Sequence, residues 1–151
     1  MRKNYWFSLL SIVVIGVLFM GTALADQKED TLALVKKGAE YLKANGPEKA
    51  AKAFTTDEFK KGDLYLFAYN YNAVCLAQGA RPDLVGKDLS KLKTPSGEFL
   101  FTNLINTAKK GGGWYEYQWM HPYKKKLGDK VSYIQPVDGM DAFVGCGYWK
   151  E

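Results

Sequence analysis

The chain has 151 residues, 47% of them hydrophobic and 25% charged, with two cysteines, one histidine and a formal net charge of +5. That length suits one domain. The modest charge, spread over short runs such as Lys36-Lys37, Lys60-Lys61, Lys109-Lys110 and Lys124-Lys125-Lys126, argues against a nucleic-acid partner, which needs its cations gathered on one face.

At the start, Arg2 and Lys3 precede an uncharged apolar run from Trp6 to Met20, and Ala23-Leu24-Ala25 places small residues where a signal peptidase reads. Residues 1–25 therefore read as a secretory signal cleaved before Asp26, which places the mature chain in the periplasm. An uncleaved anchor is the alternative, because the apolar run approaches the roughly 20 residues that span a bilayer. Residues 26–151 form the expected domain, in which 19 basic residues face 16 acidic ones once Arg2 and Lys3 are removed.

Asp30 to Ala44 has helical spacing through Leu34, Val35, Gly38, Tyr41 and Leu42. Asn45-Gly46 stops it, and Pro47 opens a shorter helix through Phe54. From Asp63 the period changes to that of strands. Leu64 to Tyr69 and Ala73 to Ala77 form a hairpin around Asn70-Tyr71-Asn72, and Gln78 to Gly97 is loop-like. Glu98 to Lys109 is again helical. Gly111-Gly112-Gly113 ends that helix and allows unusual backbone angles. Strands follow at Trp114 to Met120, Lys130 to Val137 and Ala142 to Trp149, joined by short connections. The order predicts an α+β domain with helices packed on a five-stranded antiparallel sheet.

The run Gly-Gly-Gly-Trp-Tyr-Glu-Tyr-Gln-Trp-Met-His-Pro, residues 111–122, is the most informative stretch. On a strand, Tyr115, Tyr117 and Trp119 share one face and Trp114, Glu116, Gln118 and Met120 the other. Rings with a polar atom suit a pocket that is apolar in its walls yet fixes a ligand's polar end. The alternative is that they pack beneath the preceding helix with their polar atoms bonded to backbone.

Enzyme chemistry finds no support. The serines of the mature chain lack a Gly-x-Ser-x-Gly setting, and one histidine would have to serve every triad. The triple glycine is no phosphate loop, since no Gly-Lys-Ser/Thr accompanies it. No metal set with recognisable spacing exists around His121, and no cofactor is implied.

Four motifs in order carry a resemblance: Asp63-Leu64-Tyr65-Leu66-Phe67, Leu84-Val85-Gly86-Lys87-Asp88-Leu89, the Gly-Gly-Gly-Trp-x-x-Tyr-x-Trp run, and Lys130-Val131-Ser132-Tyr133. Together they resemble the single Cache domain of type 2, an extracytoplasmic sensor domain of bacterial chemoreceptors and histidine kinases. The resemblance implies a PAS-like sheet of spatial order 2-1-5-4-3, with the long N-terminal helix on one face. A loop-plus-helix insertion covers the other, above a small pocket. It further implies a small organic metabolite as ligand, short carboxylates prominent among them, and a membrane sensor kinase or chemoreceptor as partner. Asn70-Tyr71-Asn72-Ala73 departs from the family's Asp and Gly in the hairpin turn, so a looser turn is expected. Receptors of the family also continue past the last strand, whereas this sequence stops at Glu151.

The candidate ligand-binding residues are Tyr117, Trp119, Lys130, Tyr133 and Phe67, with His121, before Pro122 at a strand end, expected to cap that end or line the pocket mouth. A carboxylate in an apolar pocket needs a cation or several donors, and Lys130 and Tyr133 match the family pattern on the neighbouring strand. Three residues apart, they lie on opposite faces of a regular strand and reach one pocket only if Lys130 sits at a bulge or strand end. The alternative for Lys130 is an exposed lysine beside Asp129. Trp119→Ala and Tyr133→Phe are both expected to weaken binding. A domain whose pocket has collapsed onto Trp114, Tyr117 and Trp119, serving structure or protein interaction, is the competing reading.

Cys75 and Cys146 lie in an exported chain, where a disulfide would survive. The implied strand order, however, puts the first strand between theirs. Two strand spacings separate the Cα atoms by about 9–10 Å, against the limit of about 7 Å for a disulfide. Two free, buried thiols are therefore expected, and titration of the unfolded, unreduced protein should find both cysteines reactive; none reactive in a monomer would mean a bridge.

Overall fold

The computed structural model describes residues 18–150. Residues 1–17, most of the predicted signal segment, lie outside the described residues. The first helix, α1, spans Leu18–Asn45, starting well before the expected Asp30. No proline interrupts this stretch, and its alanines, leucines, lysines and glutamates are strong helix formers. Among the described residues, no helix is long and apolar enough to cross a membrane.

Gly46, at φ 79°, turns the chain into α2, Pro47–Ala53. The strands are β1 (Lys60–Lys61), β2 (Leu64–Tyr69), β3 (Cys75–Gln78), β4 (Gly113–Met120), β5 (Leu127–Pro136) and β6 (Phe143–Trp149), with α3 (Leu100–Lys109) between β3 and β4. The sheet runs β3-β2-β6-β5-β4, antiparallel at every pairing. The two-residue β1, which pairs with the start of β2, is an addition to the five expected strands.

Strand β2 is buried along its whole length, and its alternation divides the interior in two. Leu64, Leu66 and Ala68 join Val35, Ala39 and Leu42 of α1 in one core. Tyr65, Phe67 and Tyr69 join Leu100, Phe101 and Leu104 of α3 in the other. Close approach on the α3 side depends on β6: a Cβ on Gly145 would stand 2.3 Å from the Phe67 ring. Gly112 likewise combines φ 93° with backbone that leaves no room for a side chain, its Cβ position falling 2.5 Å from the Ile134 carbonyl oxygen.

The insertion between β3 and α3 is stitched to the sheet by backbone. Cys75 N–H donates to Lys87 O at 3.0 Å, Gly86 N–H to Cys75 O at 2.8 Å, and Leu89 N–H to Ala73 O at 3.0 Å. These bonds account for the Leu84–Leu89 motif. The hairpin turn is not loose. The Asn70 carboxamide oxygen accepts from the backbone N–H of Asn72 and Val74 at 3.0 and 2.9 Å, which replaces the expected Asp-Gly chemistry with an Asx-type closure. Both thiols are free and buried. Cys75 lies opposite Tyr69 and Cys146 opposite Leu66, so β2 separates them, and they point into different cores.

The turn forces Ala73 to φ 62°. A left-handed alanine costs about 1–2 kcal/mol, and glycine's extra chain entropy costs about 0.5–1 kcal/mol. Ala73→Gly should therefore raise unfolding stability by a net of about 0.5–1 kcal/mol in urea titrations; a loss of stability would mean the Ala73 methyl contributes more packing than its backbone costs.

Candidate functional site

Between the sheet and α3 lies a small cavity. Tyr65 and Phe67 of β2, Tyr117 and Trp119 of β4, Lys130 of β5 and Phe101 of α3 form most of its wall. The free space is about 10 Å³, room for roughly one water molecule. Register places the residues: Tyr117 is directly opposite Lys130, and Tyr115 opposite Ser132. The aromatic stripe of β4 is continuous, with Tyr115 stacked on Tyr117 at 6.0 Å and Tyr117 edge-on to Trp119 at 6.3 Å. The Tyr115 hydroxyl accepts from the Asn103 amide at 2.8 Å and so ties α3 over the sheet. The Tyr117 hydroxyl meets Ser132 Oγ at 3.1 Å.

Lys130 is only 1% exposed. Its Nζ lies 3.9 Å from the Tyr65 ring centroid, 5.3 Å from that of Trp149 and 5.5 Å from that of Phe67. Among the described residues it has no ion pair. Aromatic faces stabilise an ammonium only in part. Burial pulls the Lys130 amine down to about 7, with Cys146 opposing. Burial also pushes the Tyr65 and Tyr117 phenols up, so both remain hydrogen-bond donors across the neutral range.

Four of the predicted residues, Phe67, Tyr117, Trp119 and Lys130, thus share one cavity. Tyr133 does not. Strand β5 pairs without interruption with both neighbours from Lys130 onward, so there is no bulge, and three residues along a regular strand reverse the face. Tyr133 packs on the α1 side, 5.2 Å from the Trp114 ring. His121 does not line this cavity; of its two expected roles it takes the capping one. It caps the β4–β5 connection, its Nδ1 accepting from the N–H of Tyr123 and Lys124 at 3.3 Å each, with its ring stacked on Trp149 at 4.4 Å. Residues overlooked in the sequence are Tyr65, Tyr69, Gln78, Leu100, Phe101 and Leu104. The first two were legible, because Tyr65, Phe67 and Tyr69 alternate on one strand.

The single Cache domain 2 family matches residues 29–151. The chain belongs to that family. It is 31% identical over 114 residues to the sensor histidine kinase MctS of Rhizobium johnstonii, a match covering 72% of this chain and 24% of that protein. The chain thus spans about a quarter of that relative's length. Among solved structures it is similar to a methyl-accepting chemotaxis protein from Vibrio parahaemolyticus, with a TM-score of 0.71 and 22% identity, covering 88% of this chain and 95% of that one. A Cache chemosensory domain described for carboxylic acid recognition gives a TM-score of 0.70 and 21% identity, covering 87% of this chain and 98% of that one. At these identities the likeness is one of fold.

In this Cache domain, Lys130 opposes folding at neutral pH. Its amine titrates near 7 when folded and near 10.5 when unfolded, so between those values the unfolded chain binds more protons and stability rises with pH. The penalty is complete below pH 7 and gone above about 10.5. Lys130→Met should therefore be more stable than the parent at pH 6.5, and the gap should narrow by about 2 kcal/mol by pH 8.5. Comparing the two proteins cancels the titration of cysteines and tyrosines. A gap that stays constant with pH in urea titrations would mean that Lys130 is ordinarily protonated in the folded state.

Proposed function

We propose that this Cache domain is an exported, non-enzymatic sensing module that binds a short organic acid between the sheet and α3. Lys130 supplies the counter-charge and Trp119, Tyr117 and Phe67 the walls. The observation that carries this reading is a buried ammonium without a carboxylate partner among the described residues. Such a charge is costly in isolation and is relieved by an anion brought into contact with it. The Tyr65 and Tyr117 hydroxyls are donors that could bind the second carboxylate oxygen. A cavity of about 10 Å³ is smaller than any carboxylate, so binding would require α3 and the insertion to move outward. That displacement is what a membrane partner would read. Kinship with a sensor histidine kinase supports a kinase or chemoreceptor in that role. A domain collapsed around its aromatic residues, acting only as an interaction module, is the second reading, and the small cavity is the observation in its favour.

Calorimetric titration with acetate, propionate, pyruvate and lactate separates the two. At least one should bind with one-to-one stoichiometry. Trp119→Ala should weaken that binding, Lys130→Met should weaken it tenfold or more, and Tyr133→Phe, on the far face, should leave it unchanged. Losing a hydrogen bond to a charged group costs about 1.5–3 kcal/mol, which sets that scale. Because the amine must be protonated to hold the anion, affinity should be flat from about pH 5 to 7 and then fall by about tenfold per pH unit. Silence across the series, with Lys130→Met folded and more stable than the parent, would establish the collapsed module.

A further inference from the structure

A second opening, of about 490 Å³, lies apart from the aromatic cavity, between α1, the β1–β2 turn and the β4–β5 connection. Two residues that line it carry buried N–H groups with no acceptor among the described residues: Nε2 of His121 and Nε1 of Trp149. His121 is 3% exposed, and because its Nδ1 accepts two backbone N–H bonds, its ring proton resides on Nε2. The two rings stack at 4.4 Å with 23° between their planes, so both donors belong to one rigid unit. Unpaired buried donors are rare in folded proteins because each forfeits its hydration.

The charge around the opening is predominantly positive, four lysines against two aspartates. Lys61 is engaged by Asp30 at 2.7 Å and Lys150 by Glu116. Lys124 and Lys126 enter no ion pair among the described residues. Asp63 Oδ2 stands 3.4 Å from His121 Nε2 without making a hydrogen bond, and its side chain is half exposed and able to swing away. A metal ion is not served here: among the described residues no cluster of three ligating side chains exists.

We propose that this cleft binds an oxyanion of the phosphate type, which takes the place of the Asp63 carboxylate in front of His121. His121 Nε2–H and Trp149 Nε1–H donate to it, and Lys124 and Lys126 supply charge. A phosphate group presents several acceptor oxygens and no obligatory donor, which suits two N–H groups and lysines. It could come free, as phosphate or a phosphorylated metabolite, or as the headgroup of an anionic phospholipid. The proposal does not rest on the carboxylate reading, because His121, Trp149, Lys124 and Lys126 do not line the aromatic cavity.

The test follows the indole N–H resonance of Trp149 in ¹⁵N-labelled protein, assigned with Trp149→Phe. Inorganic phosphate should shift it saturably at constant ionic strength while Trp114 stays in place. Asp63→Asn, which removes the competing carboxylate, should tighten the apparent affinity several-fold. Lys124→Ala combined with Lys126→Ala, both on an exposed connection, should weaken it tenfold or more. A saturable shift with phosphate supports the site with a free anion as ligand. A Trp149 response to phosphatidylglycerol vesicles alone, absent with phosphatidylcholine and lost in the double lysine variant, supports it with a lipid headgroup. No Trp149 response to either probe, in the parent or in Asp63→Asn, overturns the proposal. So does a response that the double lysine variant leaves unchanged.

Discussion

One ammonium group organises the α3 side of this domain. Lys130 Nζ is held within reach of three aromatic rings and, among the described residues, is paired with no carboxylate, and nearly every neighbouring feature bears on that position. Ring faces offset part of the lost hydration. The remainder is a standing cost, which burial expresses as an amine shifted down to about 7. A packed apolar side chain would serve stability better at this position. A site that sacrifices stability for an unpaired charge is a candidate for binding, because a ligand that neutralises the charge gains what folding has lost.

The surrounding architecture makes such a position reachable. Strand β2 is buried on both faces, so the sheet presents one core to α1 and another to α3. The α1 core mixes aliphatic side chains with Phe54, Phe59 and Tyr148. The α3 core is aromatic, floored by Gly145 and Gly147, where a Cβ would collide with Phe67 and with Ser132. The insertion above it is largely exposed and held through backbone hydrogen bonds to the edge strand β3. Segments tied down in this way open at lower free energy than core strands. The glycine-floored wall and the insertion that covers it thus come from different parts of the chain.

Trp149 stands between the two openings. Lys130 lies over its ring at 5.3 Å, and His121 stacks on it at 4.4 Å. The ring therefore belongs to the environment of the buried ammonium and also carries one of the two unpaired donors of the second cleft. Any change in the charge of Lys130 alters the electrostatic environment of that ring and, through it, of His121. Side chains stacked in series on one sheet end provide physical contact between the two regions.

Much of this was legible along the chain because periodicity is a local property. The two-residue alternation of Leu64–Tyr69, the helical spacing of residues 30–44 and the aromatic stripe Tyr115-Tyr117-Trp119 each follow from backbone geometry alone. Even the separation of Cys75 from Cys146 needed only the strand order the resemblance implied. What only the tertiary structure decided was direction and depth. Whether β5 carries a bulge depends on its pairing with both neighbours, and that uninterrupted register turned Lys130 inward and Tyr133 toward α1. The position of His121 depended on the path of the β4–β5 connection and on Trp149, nearly thirty residues away in sequence. The cavity's size was equally beyond reach, since it is the small remainder left when side chains from four separate strands and a helix fill one space.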